Sequence, residues 1–161
     1  MSWPSPLAPD THVSSYRVVG PIGSGRLFVV YEAVKDEAPR RVALETLPAD
    51  LITDAARERF AFAADALRAL DHPGIARIHD VGLDAVEGRD GPAEIAWLAT
   101  EYVDGGLPLL EYAREKRLGS RGRLRLLLQA CDAVEHAHRR GVLHGHLGPQ
   151  RLIVDASGRL V

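Results

Sequence analysis

Cysteine, methionine, lysine and aromatic residues are all scarce in this sequence of 161 residues. The single cysteine, Cys131, cannot form an internal disulfide, which excludes a disulfide-stapled domain and favours a cytoplasmic location. No apolar run approaches the roughly 18 residues of a membrane span, and the N-terminus lacks the features of a signal peptide. Only Lys35 and Lys116 are lysines, so almost every cationic side chain is an arginine.

The remaining composition is that of one globular domain, with 46% hydrophobic and 26% charged residues. A chain of this length can bury a substantial core. The formal net charge of −2 argues against a general nucleic-acid binder. We therefore expect neither a nucleic acid nor a membrane as a partner.

The first half of the chain has a mainly β pattern. Residues 1–13 contain three prolines and predict a flexible leader. Runs of β-branched and aromatic residues between Tyr16 and Leu47 predict three strands joined by turns. Helical spacing of apolar residues predicts a helix from about Thr53 to Leu70. Ile75–Val81 and Ile95–Tyr102 predict two more strands, separated by a polar loop.

The second half is predicted to be helical, with a short helix at Leu109–Arg117 and a long one over residues 121–140. Ser120 is the expected N-cap of the long helix, and Gly141 its C-terminal stop. Its apolar residues form one stripe of Leu124, Leu127, Leu128, Cys131 and Val134, which Leu126 and Ala130 widen. Either this stripe contacts something outside these 161 residues, or the short helix and residues 142–161 fold back over it.

This order of elements, together with six short motifs, resembles a protein kinase domain of the bacterial serine/threonine type. The motifs are the glycine-rich loop Ile22–Tyr31, the strand Val42–Glu45, the turn Leu70–Ile75, the hinge Glu101–Gly106, the approach His138–His144 and the catalytic loop His144–Arg151. The resemblance implies an α+β fold. It places a five-stranded antiparallel N-lobe with helix C over residues 14–103 and a partial helical C-lobe over residues 104–161.

The same resemblance points to a catalytically inactive domain, because phosphoryl transfer depends mainly on charge placement. Glu45 stands at the position of the phosphate-binding lysine, and Ala63 at that of the helix C glutamate. His146 replaces the catalytic aspartate, and Arg151 replaces the asparagine that binds Mg²⁺. No D-F-G motif follows within the 161 residues. The implied function is that of a pseudokinase, acting as a protein-binding or regulatory module.

The resemblance also supplies candidate nucleotide-binding positions. They are Ile22, Gly23, Gly25, Val30, Ala43, Glu101, Val103 and Ile153. A bare G-x-G is weak evidence for a phosphate loop, and it is equally consistent with a tight turn between strands. Phe28 occupies the position of the third glycine and would crowd a phosphate. We therefore expect no cofactor, with ATP bound without Mg²⁺ as the alternative.

Other functions stay open at this point. The chain could be an ATP-binding serine/threonine kinase or a nucleotidyl transferase with displaced catalytic residues, or a purine sensor. Four histidines between positions 136 and 146 suggest a metal site, but His136 and His138 lie about 200° apart around a helix. No metal is expected. The partner of the 121–140 helix is expected to be another protein, a further part of a longer chain, or a second copy.

Overall fold

A computed structural model of the chain describes residues 7–25, 28–48, 66, 68–88, 91–145 and 147–161. Two compact units are present. We call Met1–Arg68 with Ile78–Tyr102 the sheet unit, and Ala69–Arg77 with Val103–Val161 the helical unit. Most of the predicted helix from Thr53 to Leu70 lies outside the described residues. Among the residues described, no helix is long and apolar enough to cross a membrane.

In the described part of the sheet unit, six antiparallel strands lie in the order β1-β2-β3-β4-β6-β5. Their bounds are β1 His12–Val13, β2 Tyr16–Ser24, β3 Val29–Lys35, β4 Arg41–Pro48, β5 Ile78–Gly88 and β6 Gly91–Glu101. The predicted count of five strands is therefore one too low, because β1 is a separate two-residue strand. It pairs with β2 through His12 opposite Arg17 and Val13 opposite Tyr16.

One face of this sheet carries the core. Successive side chains of a strand point to opposite faces, and β4 alternates strictly, with Val42, Leu44 and Thr46 buried. Tyr16 and Trp97 pack edge to face across the core with ring centroids 5.7 Å apart. The core cluster consists of Val13, Tyr16, Val18, Val29, Tyr31, Ala33, Val42, Leu44, Val86, Ile95, Trp97 and Ala99.

Part of the predicted leader belongs to this core. Val13 is fully buried, Leu7 packs against the cluster, and the Leu7 N–H donates to the Tyr31 hydroxyl at 2.8 Å. The prolines of the leader predict a flexible segment, but residues 7–13 are not one. β1 pairs with β2, and Val13 is buried in the core.

The polar loop expected between the last two strands is instead part of a long hairpin. β5 and β6 pair continuously up to Gly88 opposite Gly91. Val86 is buried in the core, whereas its neighbours Ala85 and Glu87 are exposed. Charged residues on the outer side of β5 hid this alternation in the sequence. The Ser14 N–H donates to Asp84 Oδ2 at 2.5 Å, so the two edges of the sheet curl towards each other.

The helical unit contains the two predicted helices with slightly different ends. α1 spans Leu109–Glu115 and α2 spans Ser120–Arg139, and β7 Leu107–Pro108 pairs with β8 Ile153–Val154. The N-cap of α2 is Gly119, without a side-chain capping bond, so Ser120 does not cap the helix as expected. Gly141 ends it as predicted, with φ of 73° and its N–H donating to the His138 carbonyl at 2.9 Å.

The core of the helical unit lies on the side of α2 that carries Leu126 and Ala130, opposite the centre of the predicted stripe. Leu126, Ala130 and Ala133 are the buried residues of α2. Leu126 and Ala130 pack with Leu109, Val154 and Leu160. Most of the stripe is exposed: Leu124 by 60%, Leu127 by 48%, Leu128 by 69%, and Cys131 as well, whereas Val134 is half-buried. Of the predicted apolar residues, only the two that widen the stripe fill the core.

Candidate nucleotide site and catalytic-loop segment

Three candidate residues of the sheet unit share the sheet face opposite the core. Because Val42, Leu44 and Thr46 point into the core, Ala43 and Glu45 point away from it, and both are half-buried. Val30 lies directly opposite Glu45 across β3 and β4, and Leu98 of β6 lies opposite Glu45 on its other side. The structure therefore brings Val30, Ala43 and Glu45 together on one surface.

Glu45 gives this surface the charge of a carboxylate. An anionic ligand on this face would meet repulsion of about 4 kcal/mol per unit-charge pair at ~4 Å and an effective dielectric constant near 20. An apolar ring would meet Val30 and Ala43. The face is therefore suited to a flat apolar group and unfavourable for phosphates near Glu45.

The glycine-rich turn is filled by one aromatic ring. Gly23 pairs with Val30, and the Gly25 N–H donates to the Phe28 carbonyl at 2.9 Å. A Cβ atom placed on Gly25 would lie 2.0 Å from Phe28 Cε1, so the buried Phe28 ring rests directly on Gly25. The absence of a side chain at Gly25 accommodates this ring. This contact supports the interpretation of Gly23 and Gly25 as a turn between strands.

The remaining candidates of the sheet unit lie at its periphery. Ile22 is exposed, and Glu101 pairs with Val42 at the end of β6. Beside Glu101, the Arg41 guanidinium lies 4.1 Å from the centroid of the Tyr102 ring. This stacking was not predicted from the sequence, although the pairing of Val42 with Glu101 places their neighbours Arg41 and Tyr102 side by side.

Val103 and Ile153 belong to the helical unit and lie on either side of Gly106. A Cβ atom on Gly106 would be 2.5 Å from Ile153 Cγ2 and 2.8 Å from Val103 Cγ1. Ile153 is fixed by its position in β8, opposite Pro108 of β7. These two candidates therefore form a small apolar surface over a residue that must be glycine.

The catalytic-loop segment is only partly described, because His146 lies outside the described residues. Ala63, the candidate in the predicted helix C, also lies outside them. His144 is exposed, and Gly145 has φ of 69°. Pro149–Arg151 form a 3₁₀ turn, in which the Arg151 N–H donates to the Gly148 carbonyl at 2.9 Å. The half-buried Arg151 side chain is a cation without an acceptor atom, so it cannot act as a Mg²⁺ ligand.

A histidine pair that the sequence did not indicate connects His72 to α2. His72 Nδ1 accepts the Gly74 N–H at 3.0 Å, which leaves the ring proton on Nε2, 3.2 Å from Asp132 Oδ2. The His136 ring lies 4.8 Å from the His72 ring. Burial of His136, with Arg140 and His72 nearby, lowers its pKa below the ordinary 6.5. Within the described ranges, no three potential ligand residues are placed to hold a metal ion.

Asp155 organises the turn after β8. Its carboxylate accepts hydrogen bonds from Ser157 Oγ at 2.6 Å and Arg159 Nε at 3.0 Å, and from the backbone N–H groups of both residues. The Ser157 hydroxyl, followed by these other donors, lowers the pKa of Asp155 to about 2. The turn thereby holds Ile153 and Val161 in a reciprocal pair of backbone hydrogen bonds.

Comparison with known proteins decides which family this arrangement represents. The model of the protein kinase domain family matches residues 16–160. The chain belongs to the protein kinase domain family. This confirms the kinase-like fold and its bacterial serine/threonine type, since the relatives described next are bacterial.

Several curated bacterial kinases are similar to this kinase-family chain. "Serine/threonine-protein kinase PknA" of Mycobacterium tuberculosis is 32% identical over 157 residues, which is 97% of this chain and 36% of that protein. "Probable serine/threonine-protein kinase SCO3848" of Streptomyces coelicolor is 32% identical over 145 residues, covering 88% of this chain and 21% of its own length. The chain therefore spans about a third or less of these relatives.

Solved structures agree with this family. The crystal structure of the Mycobacterium tuberculosis PknI kinase domain superimposes with a TM-score of 0.76 and 27% identity. The match covers 96% of this chain and 60% of the PknI kinase domain chain. The backbone of this kinase-family chain therefore follows the fold of that kinase domain over the matched residues.

Proposed function

We propose that this kinase-family domain does not transfer phosphate and instead acts as a protein-binding or regulatory module. The observation that carries the proposal is the position of Glu45. It lies on the same sheet face as Val30 and Ala43, where the family's strand presents the lysine that holds the phosphates. A carboxylate in that position repels the triphosphate that a kinase must orient.

The size of the electrostatic repulsion between Glu45 and a phosphate supports this proposal. Replacing a cation by an anion changes a favourable interaction of about 4 kcal/mol into an unfavourable one of similar size, at ~4 Å and an effective dielectric constant near 20. Solvent reduces both values at a half-buried position such as Glu45. Even a fraction of that difference exceeds the ~1.4 kcal/mol that changes an affinity tenfold.

Two further features, the Phe28 ring and the Arg151 side chain, favour the same function. The Phe28 ring occupies the space over Gly25 that a phosphate would need. Arg151 stands where the family places a Mg²⁺-binding asparagine, and its guanidinium has no lone pair to offer a metal. Any nucleotide is therefore expected to bind weakly through its base, against Val30 and Ala43, without requiring Mg²⁺.

The binding role is supported by the exposed side of α2. Leu124, Leu127 and Leu128 are each about half or more exposed on one helix, and exposed apolar patches commonly mark interaction surfaces. Candidate partners are another protein, a further part of a longer chain, or a second copy.

Two measurements test the loss of transfer. Incubation with radiolabelled ATP and a generic basic protein should give no incorporation, and calorimetry should show no micromolar affinity for Mg²⁺-ATP. Glu45→Gln removes the repulsion, and Glu45→Lys adds an attraction. We expect the affinity for ATP to rise from Glu45 to Gln to Lys, by about tenfold or more in total. Adenosine, which lacks phosphates, is the control and should bind the three proteins equally.

The names of the relatives favour a second candidate, an active serine/threonine kinase. Strong incorporation that is lost on Glu45→Ala, with triphosphate-dependent micromolar binding, would establish that candidate and overturn the proposal. Incorporation of the adenosine label in place of the terminal phosphate would indicate a nucleotidyl transferase.

A further inference from the structure

Residues Ala69–Arg77 form a segment that packs against α2, and we call it the docked segment. In chain order it lies between two parts of the sheet unit, but it belongs to the helical unit. Gly74 makes a close approach to the helix, since a Cβ atom on it would lie 3.1 Å from Cβ of the buried Ala133. The docked segment also reaches α2 through one polar side chain, that of His72.

Both ring nitrogens of His72 take part in hydrogen bonds. Nδ1 accepts the Gly74 N–H at 3.0 Å, and Nε2 lies 3.2 Å from Oδ2 of Asp132 on α2. The His72 carbonyl accepts the Ile75 N–H at 3.0 Å. Only the neutral ring with its proton on Nε2 can make both side-chain bonds, because a protonated imidazole has two donors and no acceptor. The conformation of the docked segment therefore depends on the protonation state of His72.

A second histidine, His136, gives a further reason for the two rings to stay neutral. The centroid of its ring lies 4.8 Å from that of His72, so two charged rings would repel each other. The Nε2 atom of His136 is buried and has no hydrogen-bond partner within the described part of the chain. A proton on this nitrogen would be a buried donor without an acceptor, which is unfavourable.

The charged groups around the two rings and the turn at Pro73 come from three elements. They are Asp132 and Arg140 of α2, Asp71 of the docked segment, and Arg159 of the turn after β8, which donates to the Pro73 carbonyl. The two aspartates favour a charged ring. At His136, burial, Arg140 and His72 outweigh them, and its pKa lies below the ordinary 6.5. A released segment takes His72 away from these neighbours, and both histidines then bind a proton more readily.

We propose that proton uptake by the His72–His136 pair releases the docked segment from α2, which makes this contact a pH-sensitive switch. A proton on His72 Nδ1 ends the bond from Gly74 and leaves two N–H donors 3.0 Å apart. A proton on His136 places a charge beside His72 at a half-buried position. Lowering the pH below about 6.5, the ordinary pKa of a histidine, therefore favours release. Release involves neither Glu45 nor a nucleotide, so it is independent of the function proposed above.

Hydrogen–deuterium exchange followed by mass spectrometry measures the release of the docked segment. The protection of residues 69–77 is corrected for the pH dependence of intrinsic exchange. It should fall by about fivefold or more between pH 7.5 and pH 5.5, because one proton changes an equilibrium by up to about tenfold per pH unit. β4, whose Val42 and Leu44 lie in the core of the sheet unit, should still be protected at pH 5.5. This comparison separates local release from unfolding of the whole chain.

Two substitutions identify the groups that bind the proton. His72→Asn places an amide oxygen near the position of Nδ1, where it can accept the Gly74 N–H without titrating. His136→Phe keeps a ring beside His72 but removes its nitrogens. Each should reduce the fall in protection, and the protein with both should show a fall of less than about twofold. His138→Phe on the same helix is the matched control and should keep the full fall.

A disulfide lock tests the release by a second route, which also serves if the histidine variants do not fold. Gly74→Cys with Ala133→Cys, in a Cys131→Ser background, joins the docked segment to α2. A Cβ atom on residue 74 would lie 3.1 Å from that of residue 133, close to the roughly 3.5–4.5 Å of a disulfide. The oxidised protein should keep its protection at pH 5.5, and the same protein after reduction should lose it.

Each result decides the inference. A fall in protection of the docked segment that the double histidine substitution or the oxidised lock removes, and that His138→Phe keeps, would establish the switch. Constant protection between pH 7.5 and pH 5.5 would overturn it. So would an undiminished fall in the doubly substituted protein, an equal fall in the oxidised and reduced lock, loss of the fall in His138→Phe, or loss of β4 protection at the same pH.

Discussion

The sheet unit and the helical unit differ in how completely they bury their apolar residues. Among the residues that the structure describes, the sheet unit encloses a cluster of twelve buried residues, with Tyr16, Tyr31 and Leu44 at 2% exposure or less. The described part of the helical unit has a cluster of five and leaves Leu128 and Leu143 more than two-thirds exposed. A unit with a closed core is stabilised from within, whereas an exposed apolar helix face depends on what covers it.

The two units also differ in the character of their surfaces. In the sheet unit, Glu45 adds a carboxylate to the face that carries Val30 and Ala43. In the helical unit, the main feature is the exposed side of α2. The following substitutions compare the two units by measuring the free energy of unfolding and its dependence on pH.

The largest effect is expected from truncation of the sheet core. Leu44 is fully buried, so Leu44→Ala should cost about 2–5 kcal/mol, from lost transfer free energy and the remaining cavity. Leu128→Ala removes the same atoms from an exposed site and should change the stability by no more than about 0.5 kcal/mol. Urea unfolding at low protein concentration measures both. Equal losses would show that the exposed face of α2 is packed within the chain.

The contact between Phe28 and Gly25 should produce the next largest effect. Gly25→Ala places a methyl group within the Phe28 ring and should cost about 1–3 kcal/mol. Gly20→Ala is the control, since nothing lies within 4 Å of its Cβ position. In the Phe28→Ala background, Gly25→Ala should cost almost nothing more. If Gly25→Ala cost as much stability in the Phe28→Ala background as in the parent protein, the Phe28 ring would not be what occupies the Cβ position of residue 25.

In the helical unit, Asp155→Ala should cost about 1–3 kcal/mol near neutral pH, because it removes the acceptor of four hydrogen bonds. The folded-state pKa of Asp155 is about 2, below the ordinary 3.8, so its contribution is complete above pH 3.8 and lost as the pH falls through 2. Denaturant titrations at several pH values between 2 and 7 should show this loss in the parent protein and not in the variant. Glu115→Ala, at an exposed position, should leave both stability and profile unchanged.

The smallest effect concerns His136. Burial is the main cause that lowers the pKa of His136, so the folded state favours the neutral ring. As the pH falls, the unfolded chain therefore binds the proton before the folded protein does. The free energy of unfolding should therefore decrease as the pH falls below 6.5, and His136→Phe should reduce this decrease. His72, Arg140, Asp71 and Asp132 are the charged groups around this ring. His138→Phe, on another side of the same helix, is the control. A steeper decrease in the His136 variant would contradict the argument.

The order of elements was predictable because local patterns determine it. The strand through Val42 and Leu44 alternates clearly, and Gly141 marks the end of α2 unambiguously. Two features could not be predicted from local patterns. The turn at Ser14 and Ser15, across which Val13 pairs with Tyr16, has no glycine or asparagine to mark it. The charges around Val86 obscure its strand.

For the candidate site, only the arrangement of residues on the sheet can be compared with the structure. Strand alternation predicts one face for Ala43 and Glu45, and the structure places Glu45 opposite Val30. The match of Glu45 to the family's lysine position stays a prediction. The choice between two apolar faces of α2 was not available from the sequence, because Leu126 and Leu128 are the same residue type. Only the packing of Leu126 with Val154 and Leu160 distinguishes them.

The short strand β1 has a consequence for aggregation. An unpaired strand edge offers its N–H and C=O groups to other chains, and β2 would present such an edge without β1. β1 covers the start of this edge at Tyr16 and Arg17, and the Ser14 N–H donates to Asp84 of β5. Charged side chains of β5 hinder pairing at the opposite edge of the sheet. A recombinant protein that begins at Tyr16 should therefore form β-rich aggregates more readily than one that retains residues 7–15.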